Sequence, residues 1–399
     1  MAVETRSAAS WLAALLAPVT VDEFLSIYWR RRHLFSRGSS GRFSELLTWT
    51  EINRILEHHW RSPFRFRLAR QGRDLDPSSY VDLEGVTPRV RARDVIEHLR
   101  GGATLSFDAI DEVHEPLARL AESFEQYFRG GTKINIYAGW RAVHGLDLHR
   151  DDQEIFILQL DGPKRWLLYG DSVDGIDPGE LRRSSSPPAG AVLDEVLQPG
   201  NLLYIPKGCY HVAIPMDEPV VHLTLSIKYP RTKDLARWMV ERLSASGLAD
   251  EDVPLLADTD ERRRYSDDVR RALTEGLQPD LVEQFYAERG PNFKPRPSFS
   301  LPWAATPGLL PPGRTFQIRL AVDARLLAAG GESGALEFQL GARRFRFPRG
   351  MQWILERLDP QAPLPAGQLF DDLAPRLDED MVRLLLAMLV KENLIAITG

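Results

Sequence analysis

The stretch "HRDDQEIFILQLDGPKRW", residues 149 to 166, decides how this chain folds. Its centre, Phe156 to Leu160, has the continuous apolar character of a strand buried on both faces. Its ends do not match that centre. His149, Asp151, Asp152 and Glu154 fall within six residues at the start, and Lys164 and Arg165 stand side by side at the finish, just after Asp161-Gly162. Asp-Gly between two strand-like runs is a hairpin signal. Opposite charges therefore load the two limbs of one hairpin.

The acidic end has the makings of a metal site. Side chains two apart on a strand share a face, so His149 and Asp151 point the same way. Alone, a His-x-Asp pair is more often a solvated loop. A third ligand changes that balance. "PGNLLYIPKGCYHVA", residues 199 to 213, reads as strand, tight Pro-Lys-Gly turn and returning strand, and it delivers His211 inward. Two histidines and one carboxylate with positions left open are the facial triad of non-haem Fe(II) oxygenases. A closed tetrahedral zinc site using Cys209, two residues before His211, is the alternative. A lone cysteine is more often small buried filler.

The cationic end has a matching purpose. Iron oxygenases use a reductant that chelates the metal at one end, and 2-oxoglutarate does so while leaving its 5-carboxylate to be paired. Lys164 is the expected partner of that carboxylate. Seen alone, it would be read as a solvated turn residue. Arg165 alternates with Lys164 and is expected to face away from the pocket.

Composition sets the frame around this hairpin. With 399 residues, 43% hydrophobic and 27% charged, the chain has material for two or three packed domains. A net charge of −6 and a pI near 5.9 argue against direct DNA binding or attraction to anionic lipid. Cys209 is the single cysteine, which excludes an internal disulfide and fits a reducing compartment. No apolar run approaches the roughly 20 residues that cross a membrane. The opening "MAVETRSAASWLAALLAP" is too short and amphipathic for a signal peptide, so a cytoplasmic protein is expected.

Three regions follow in order. Residues 1–230 begin with helices, signalled by capping-box spacing at Thr20/Glu23 and Thr48/Glu51 and by a helix from Pro116 to Arg129 stopped by Gly130-Gly131. Short strands then take over, as an antiparallel barrel or jelly roll requires, and "FRFRL" is expected to add an edge strand. Residues 231–300 are helical and charged, with narrow apolar stripes suited to a homodimer interface. "PRPSFSLPWAATPGLLPPG" reads as an extended linker. Residues 314–399 run strand, hairpin turning near Gly341, helices and strand, a small module of winged-helix type. Its helix "DEDMVRLLLAMLVKEN" is acidic and apolar, better suited to a core than to phosphates, and no direct DNA contact is expected of it.

Taken together, His-x-Asp, Leu-Gln, Gly, Lys-Arg-Trp, Pro-Gly, Leu-Tyr-Ile-Pro, Gly and His resemble the JmjC-type 2-oxoglutarate oxygenases, in the ribosomal-oxygenase or cupin-like protein hydroxylase branch. The resemblance covers most of the chain. It implies a mainly β fold with flanking helices: a JmjC double-stranded β-helix (cupin or jelly roll), a helical dimerisation region and a C-terminal winged helix. It implies iron on His149, Asp151 and His211, with 2-oxoglutarate and O₂ as co-substrates. The family's anchoring cation lies fifteen residues after the first ligand, which is Lys164. "KINIYAG" matches a family strand whose Asn and Tyr line the pocket, here Asn135 and Tyr137, and "HLTLS" places Thr224 and Ser226 near co-substrate or substrate.

The implied activity is hydroxylation of an amino-acid side chain in a protein, an Arg or His of a ribosomal protein, or in a peptide. Natural-product hydroxylation and N-methyl-lysine demethylation use the same chemistry. A non-enzymatic cupin-like binder is the reading from a different class. The loop "GWRAVHGLDLH" departs from the family in carrying His144 and Asp147 beside the pocket entrance. That loop bears on substrate choice. His144 is also a substitute ligand in principle, although its spacing to Asp147 does not suit a strand.

Overall fold

The protein is described from a computed structural model, which describes residues 8–59, 65–84, 88–170, 190–243, 248, 251–275, 280–289, 298–306, 308–321, 335–340, 343–359 and 362–398. The expected turn at Gly341, Phe64 of "FRFRL", residues 295–297 of the linker and residues 1–7 lie outside these. The chain divides into two compact units, one running Arg6–Lys228 and the other containing Tyr229–Gly399.

The first unit is built on two antiparallel sheets. The larger has eight strands, in the spatial order Leu34–Ser36, Leu202–Ile205, Glu154–Asp161, Val220–Lys228, Gly131–Gly139, Thr104–Phe107, Phe66–Arg70 and Arg73–Asp74. The smaller sets Lys164–Tyr169 between Leu193–Leu197 and Tyr210–Pro215. Side chains from both sheets meet in one apolar cluster: Ile155, Ile157, Leu203 and Ile205 from the larger, and Trp166, Leu168 and Leu197 from the smaller. This is sandwich packing, in which two inner faces interdigitate.

The Asp161-Gly162 turn carries the chain from one sheet to the other, so Glu154–Asp161 and Lys164–Tyr169 are not paired with each other and the expected hairpin is a crossover between sheets. Gly162 has φ +65, and a Cβ there would sit 2.0 Å from the Pro219 carbonyl oxygen, so only glycine fits. The buried Gln159 amide donates to the Asp161 and Gly162 carbonyls at 3.1 and 2.9 Å, bracing the turn from inside.

Helices cover the larger sheet. Helix Trp49–His59 begins with the reciprocal Thr48/Glu51 cap, Thr48 N donating to Glu51 Oε2 at 2.7 Å and Glu51 N to Thr48 Oγ1 at 3.3 Å. The Trp49 indole then reaches the Asp161 carboxylate at 2.8 Å. Helix Glu115–Phe128 buries Leu117, Leu120 and Phe124. It ends one step before the expected glycine pair, because Arg129 itself takes the left-handed conformation (φ 53) and its N–H bonds to Glu125 O. Phe24, Trp29, Phe128, Phe156 and Tyr204 form an aromatic cluster that fixes the N-terminal turns to the sheet, with Trp29 stacked on Phe128 at 4.3 Å.

Two expectations need correction here. The strand in "FRFRL", Phe66–Arg70, is not an edge strand; the two-residue Arg73–Asp74 strand lies outside it. The proline-rich segment is not an extended linker over its described part. Trp303–Ala305 forms a 3₁₀ turn, Trp303 and Leu310 pack on the C-terminal core, and the buried Ser300 hydroxyl accepts from Ile397 N at 3.0 Å. Proline composition gave no hint of those aromatic and aliphatic anchors.

The second unit holds helices Thr232–Leu243, Thr259–Glu275 and Leu281–Arg289, the first and last joined by an edge-to-face Trp238–Phe285 contact at 5.5 Å. A three-stranded sheet (Leu364–Pro365, Gln317–Leu320, Ile395–Thr398) follows, with the hairpin Ala335–Leu340/Arg343–Pro348 and helices Gly350–Leu355, Ala366–Leu373 and Glu379–Lys391. The last helix buries Val382, Leu385, Leu386, Leu389 and Val390, so its apolar stripe is core.

Candidate active site

Main-chain pairing sets the metal-facing residues before any side chain is considered. His149 and His211 are opposite each other in an isolated antiparallel bridge and exchange both hydrogen bonds, His149 N to His211 O at 3.1 Å and His211 N to His149 O at 2.8 Å. Their rings lie 4.4 Å apart. The Asp151 carbonyl is held by Gly208 N at 2.9 Å, within the Pro-Lys-Gly turn. Asp151 Oδ2 then stands 3.9 Å from His149 Nε2 and 3.6 Å from His211 Nε2.

These three residues fit a transition metal. Each Nδ1 faces a backbone carbonyl, His149 toward Asp147 O at 2.7 Å and His211 toward Cys209 O at 3.1 Å. That places the proton on Nδ1 and leaves the Nε2 lone pair for a ligand bond. The three ligand atoms lie within 4.8 Å of one another. One ion at roughly 2.1 Å from each donor spans the 3.9 and 3.6 Å gaps between Asp151 and the two histidines. Burial and the neighbouring His149 push the His211 pKa down to about 4, which keeps the imidazole neutral, as a ligand must be.

The remaining acids of this segment do other work. Asp152 pairs with Lys207 at 3.1 Å, and the buried Glu154 accepts from the Tyr204 hydroxyl and from Lys207 N. Both therefore brace the turn that presents His211. Cys209 is buried in the apolar cluster, with its thiol directed at Gly170 O at 3.1 Å, and the metal-competent group among the described residues does not include it. His144 is likewise outside that group and instead pairs with Asp147 at 3.0 Å. Its loop is stitched to the Gln71-Gly72 turn, where Gln71 N bonds to His144 O and Gly72 N to Gly145 O.

The three ligands open onto a small cleft, with about 510 Å³ of space not filled by atoms when the open solvent at its mouth is included. His149, Asp151 and His211 line it together with Tyr137, Lys164, Trp166, His222 and Thr224. Strand alternation sends Lys164, Trp166 and Leu168 inward and Arg165 outward, where Arg165 makes a two-pronged pair with Asp194 at 2.6 and 2.7 Å. Lys164 is 4% exposed and has no carboxylate partner among the described residues, and burial pushes its pKa down to about 7.

Tyr137 is held protonated, its pKa pushed up to about 12 chiefly by burial and then by the charge of Asp108. Asn135 does not line the cleft. Its side-chain oxygen accepts from Ala109 N at 2.9 Å, and the side chain hydrogen-bonds Tyr137, so it orients rather than contacts. Ser226 shares the face of His222 and Thr224 but lies beyond the lining, donating to Lys133 O at 3.2 Å. Trp166 and His222 face the cleft without having been singled out from the sequence. Their signal was present, since both lie two residues from an expected site residue on the same strand.

Residues 110–235 match the JmjC domain family. Bifunctional lysine-specific demethylase and histidyl-hydroxylase NO66 of Dictyostelium discoideum is 27% identical over 224 residues, 54% of this chain and 42% of that protein. Ribosomal oxygenase 2 of Rattus norvegicus is 25% identical over 267 residues, 62% of this chain and 54% of that protein. The chain thus spans about half the length of these relatives. The ribosomal oxygenase YcfD from Escherichia coli shares the fold at 18% identity and a TM-score of 0.58, over 96% of this chain and 99% of that one. Its complex with cobalt and 2-oxoglutarate gives a TM-score of 0.55 at 18% identity and the same coverage. Domain match, relatives and shared fold point the same way: residues 110–235 match the JmjC domain, and the chain is similar to the ribosomal oxygenases.

Proposed function

We propose that this chain is an Fe(II)- and 2-oxoglutarate-dependent hydroxylase of an amino-acid side chain in a protein, an arginine or histidine of a ribosomal protein being the favoured target. One observation carries the reading. A two-histidine, one-carboxylate group and a buried lysine with no acidic partner among the described residues line the same cleft. Iron bound there supplies oxygen activation, coupled to conversion of 2-oxoglutarate to succinate and CO₂, with one oxygen atom delivered to a substrate C–H bond. His149, Asp151 and His211 hold the metal and leave its other positions open. Lys164 binds the distal carboxylate of the co-substrate, while Tyr137 and Thr224 flank it. Ile155, Ile157 and Trp166 make the wall apolar, excluding water from the reacting atoms. His144, at the loop bordering the cleft, contributes to substrate choice along with Tyr137.

The exposed apolar residues of the helical region, Val240 at 54% and Val282 at 63%, support a homodimer interface there. The C-terminal module is read as winged-helix-like. No helix among the described residues is long and apolar enough to cross a membrane, and a single cysteine, which can form no internal disulfide, suits the cytoplasm. The test is to incubate the iron-loaded protein with 2-oxoglutarate and host ribosomes, then search the proteins by mass spectrometry. Gain of one oxygen on a side chain, matched by succinate, is expected. Loss of a methyl group instead would favour the demethylase activity carried in the NO66 name. Co-substrate neither bound nor consumed would contradict both.

A further inference from the structure

We propose that His222 is a co-substrate-binding residue, donating from its imidazole, beside Lys164 and the Trp166 indole, to the distal carboxylate of a 2-oxo dicarboxylate. This rests on the reading of the cleft as a 2-oxoglutarate site. His222 is 2% exposed in strand Val220–Lys228 and stands directly opposite Tyr137, with the two rings stacked at 5.3 Å and 12°. The edge of the Trp166 ring meets it at 5.4 Å and 82°. A register shift between Val221 and His222, against the neighbouring strand, marks a bulge beside it, the device by which sheets re-aim a side chain.

Two nitrogen groups in this corner lack what buried nitrogen groups need. His222 Nδ1 and Trp166 Nε1 are buried without a hydrogen-bond partner among the described residues. Lys164 is buried there with no carboxylate partner among the described residues. Unsatisfied buried groups of this kind are uncommon and costly, and two on one cleft wall beside a buried lysine call for a shared partner. An indole N–H and an ammonium can only donate, so the missing partner is an acceptor. The positive charge of Lys164 makes an anion the fitting one.

His222 is suited to join them as a neutral donor. Burial, and then the nearby Lys164 charge, hold its pKa well below the ordinary histidine value. A neutral imidazole still carries one N–H and adds no second positive charge beside the lysine. Trp166 lies between the two ends of the cleft, its ring 6.1 Å from that of His211 and 5.9 Å from Lys164 Nζ. A ligand that reaches the triad with one carboxylate therefore meets this corner with the other.

The test uses the full chain loaded with Mn(II), titrated with 2-oxoglutarate and with 2-oxovalerate, which ends in a methyl group instead of the distal carboxylate. His222→Phe keeps an aromatic ring against Tyr137 and removes the donor. It should weaken 2-oxoglutarate binding about ten- to a hundredfold and leave Mn(II) and 2-oxovalerate affinity unchanged. His222→Asn, which retains an N–H near the same position, should recover most of the loss. In the unsubstituted protein loaded with Zn(II), the His222 ring nitrogens and the Trp166 indole N–H should shift in nitrogen NMR with 2-oxoglutarate and not with 2-oxovalerate. This reading survives even if His222→Phe does not fold. Lys164→Ala weakening 2-oxoglutarate while His222→Phe does not, or equal NMR shifts with both acids, would overturn the His222 assignment alone. Lys164→Ala binding as tightly as the unsubstituted protein would overturn the co-substrate reading beneath it.

Discussion

The His149–His211 backbone bridge means that each ligand is positioned by main chain and not by the other side chains. Removing one side chain should therefore cost metal affinity and little else. His211→Ala is expected to lower Fe(II) or Mn(II) affinity by at least about a hundredfold, since even residues supporting a ligand change affinity 10–100-fold. Unaltered circular dichroism alongside that loss is the accompanying check. Equal metal affinity would point to His144 instead. Lys164 gives a pH prediction. Its pKa in the free protein is lowered to about 7 by burial, so below that pH it is already charged and binds an anion without taking up a proton. Above it, binding must draw in a proton, and 2-oxoglutarate affinity should fall by up to about tenfold per pH unit. Lys164→Arg stays charged throughout and should remove this slope between neutral and mildly alkaline pH. Titration calorimetry of both proteins across that window decides it; parallel slopes would be the contrary result. The convergence of His149, Asp151 and His211 and the inward turn of Lys164 were legible because period-two alternation and spacing carry them. Asn135 and Ser226 were over-read, since a shared strand face does not say how far along it the cleft extends. His222 could be placed on the cleft face by its spacing from Thr224, but its unpartnered nitrogen could be recognised only with its neighbours in place.

At the scale of elements, the Asp161-Gly162 crossover carries the most weight, because it joins the larger sheet to the strand that presents Lys164. Gly162→Ala would force a Cβ to 2.0 Å from the Pro219 carbonyl in a left-handed conformation. A loss of at least about 2 kcal/mol is expected, seen as a melting temperature lower by several degrees. Unchanged thermal stability would mean that the turn relaxes freely. This turn could be read from Asp-Gly between two apolar runs, and the helix starts from their capping pairs, because both are local chemistry. The proline-rich segment could not. Its described part is held by Trp303, Leu310 and Ser300 against residues distant in sequence, a tertiary effect that composition does not carry. The strand in "FRFRL" was placed at the edge for the same reason: alternation identifies a strand but not its neighbours.

For the whole molecule, the helices between Thr232 and Arg289 leave Val240 and Val282 largely exposed. Light scattering at micromolar concentration is expected to give twice the mass of one 45.2 kDa chain, and Val240→Lys together with Val282→Lys should shift it toward a single chain. A monomer before substitution would contradict the dimer. The central claim concerns the cleft: its metal-facing end and its buried cation serve one ligand. Strand alternation gives that claim a built-in control, because Lys164 faces the cleft and its neighbour Arg165 pairs with Asp194 outside it. The measurement is calorimetric titration of 2-oxoglutarate into the Mn(II)-loaded protein and its Lys164→Ala and Arg165→Ala variants. Removing one partner of a desolvated charge pair costs about 3–5 kcal/mol, so Lys164→Ala should weaken binding at least about a hundredfold with metal affinity intact, and Arg165→Ala should barely change it. Equal effects at the two positions, or none at either, would contradict the account.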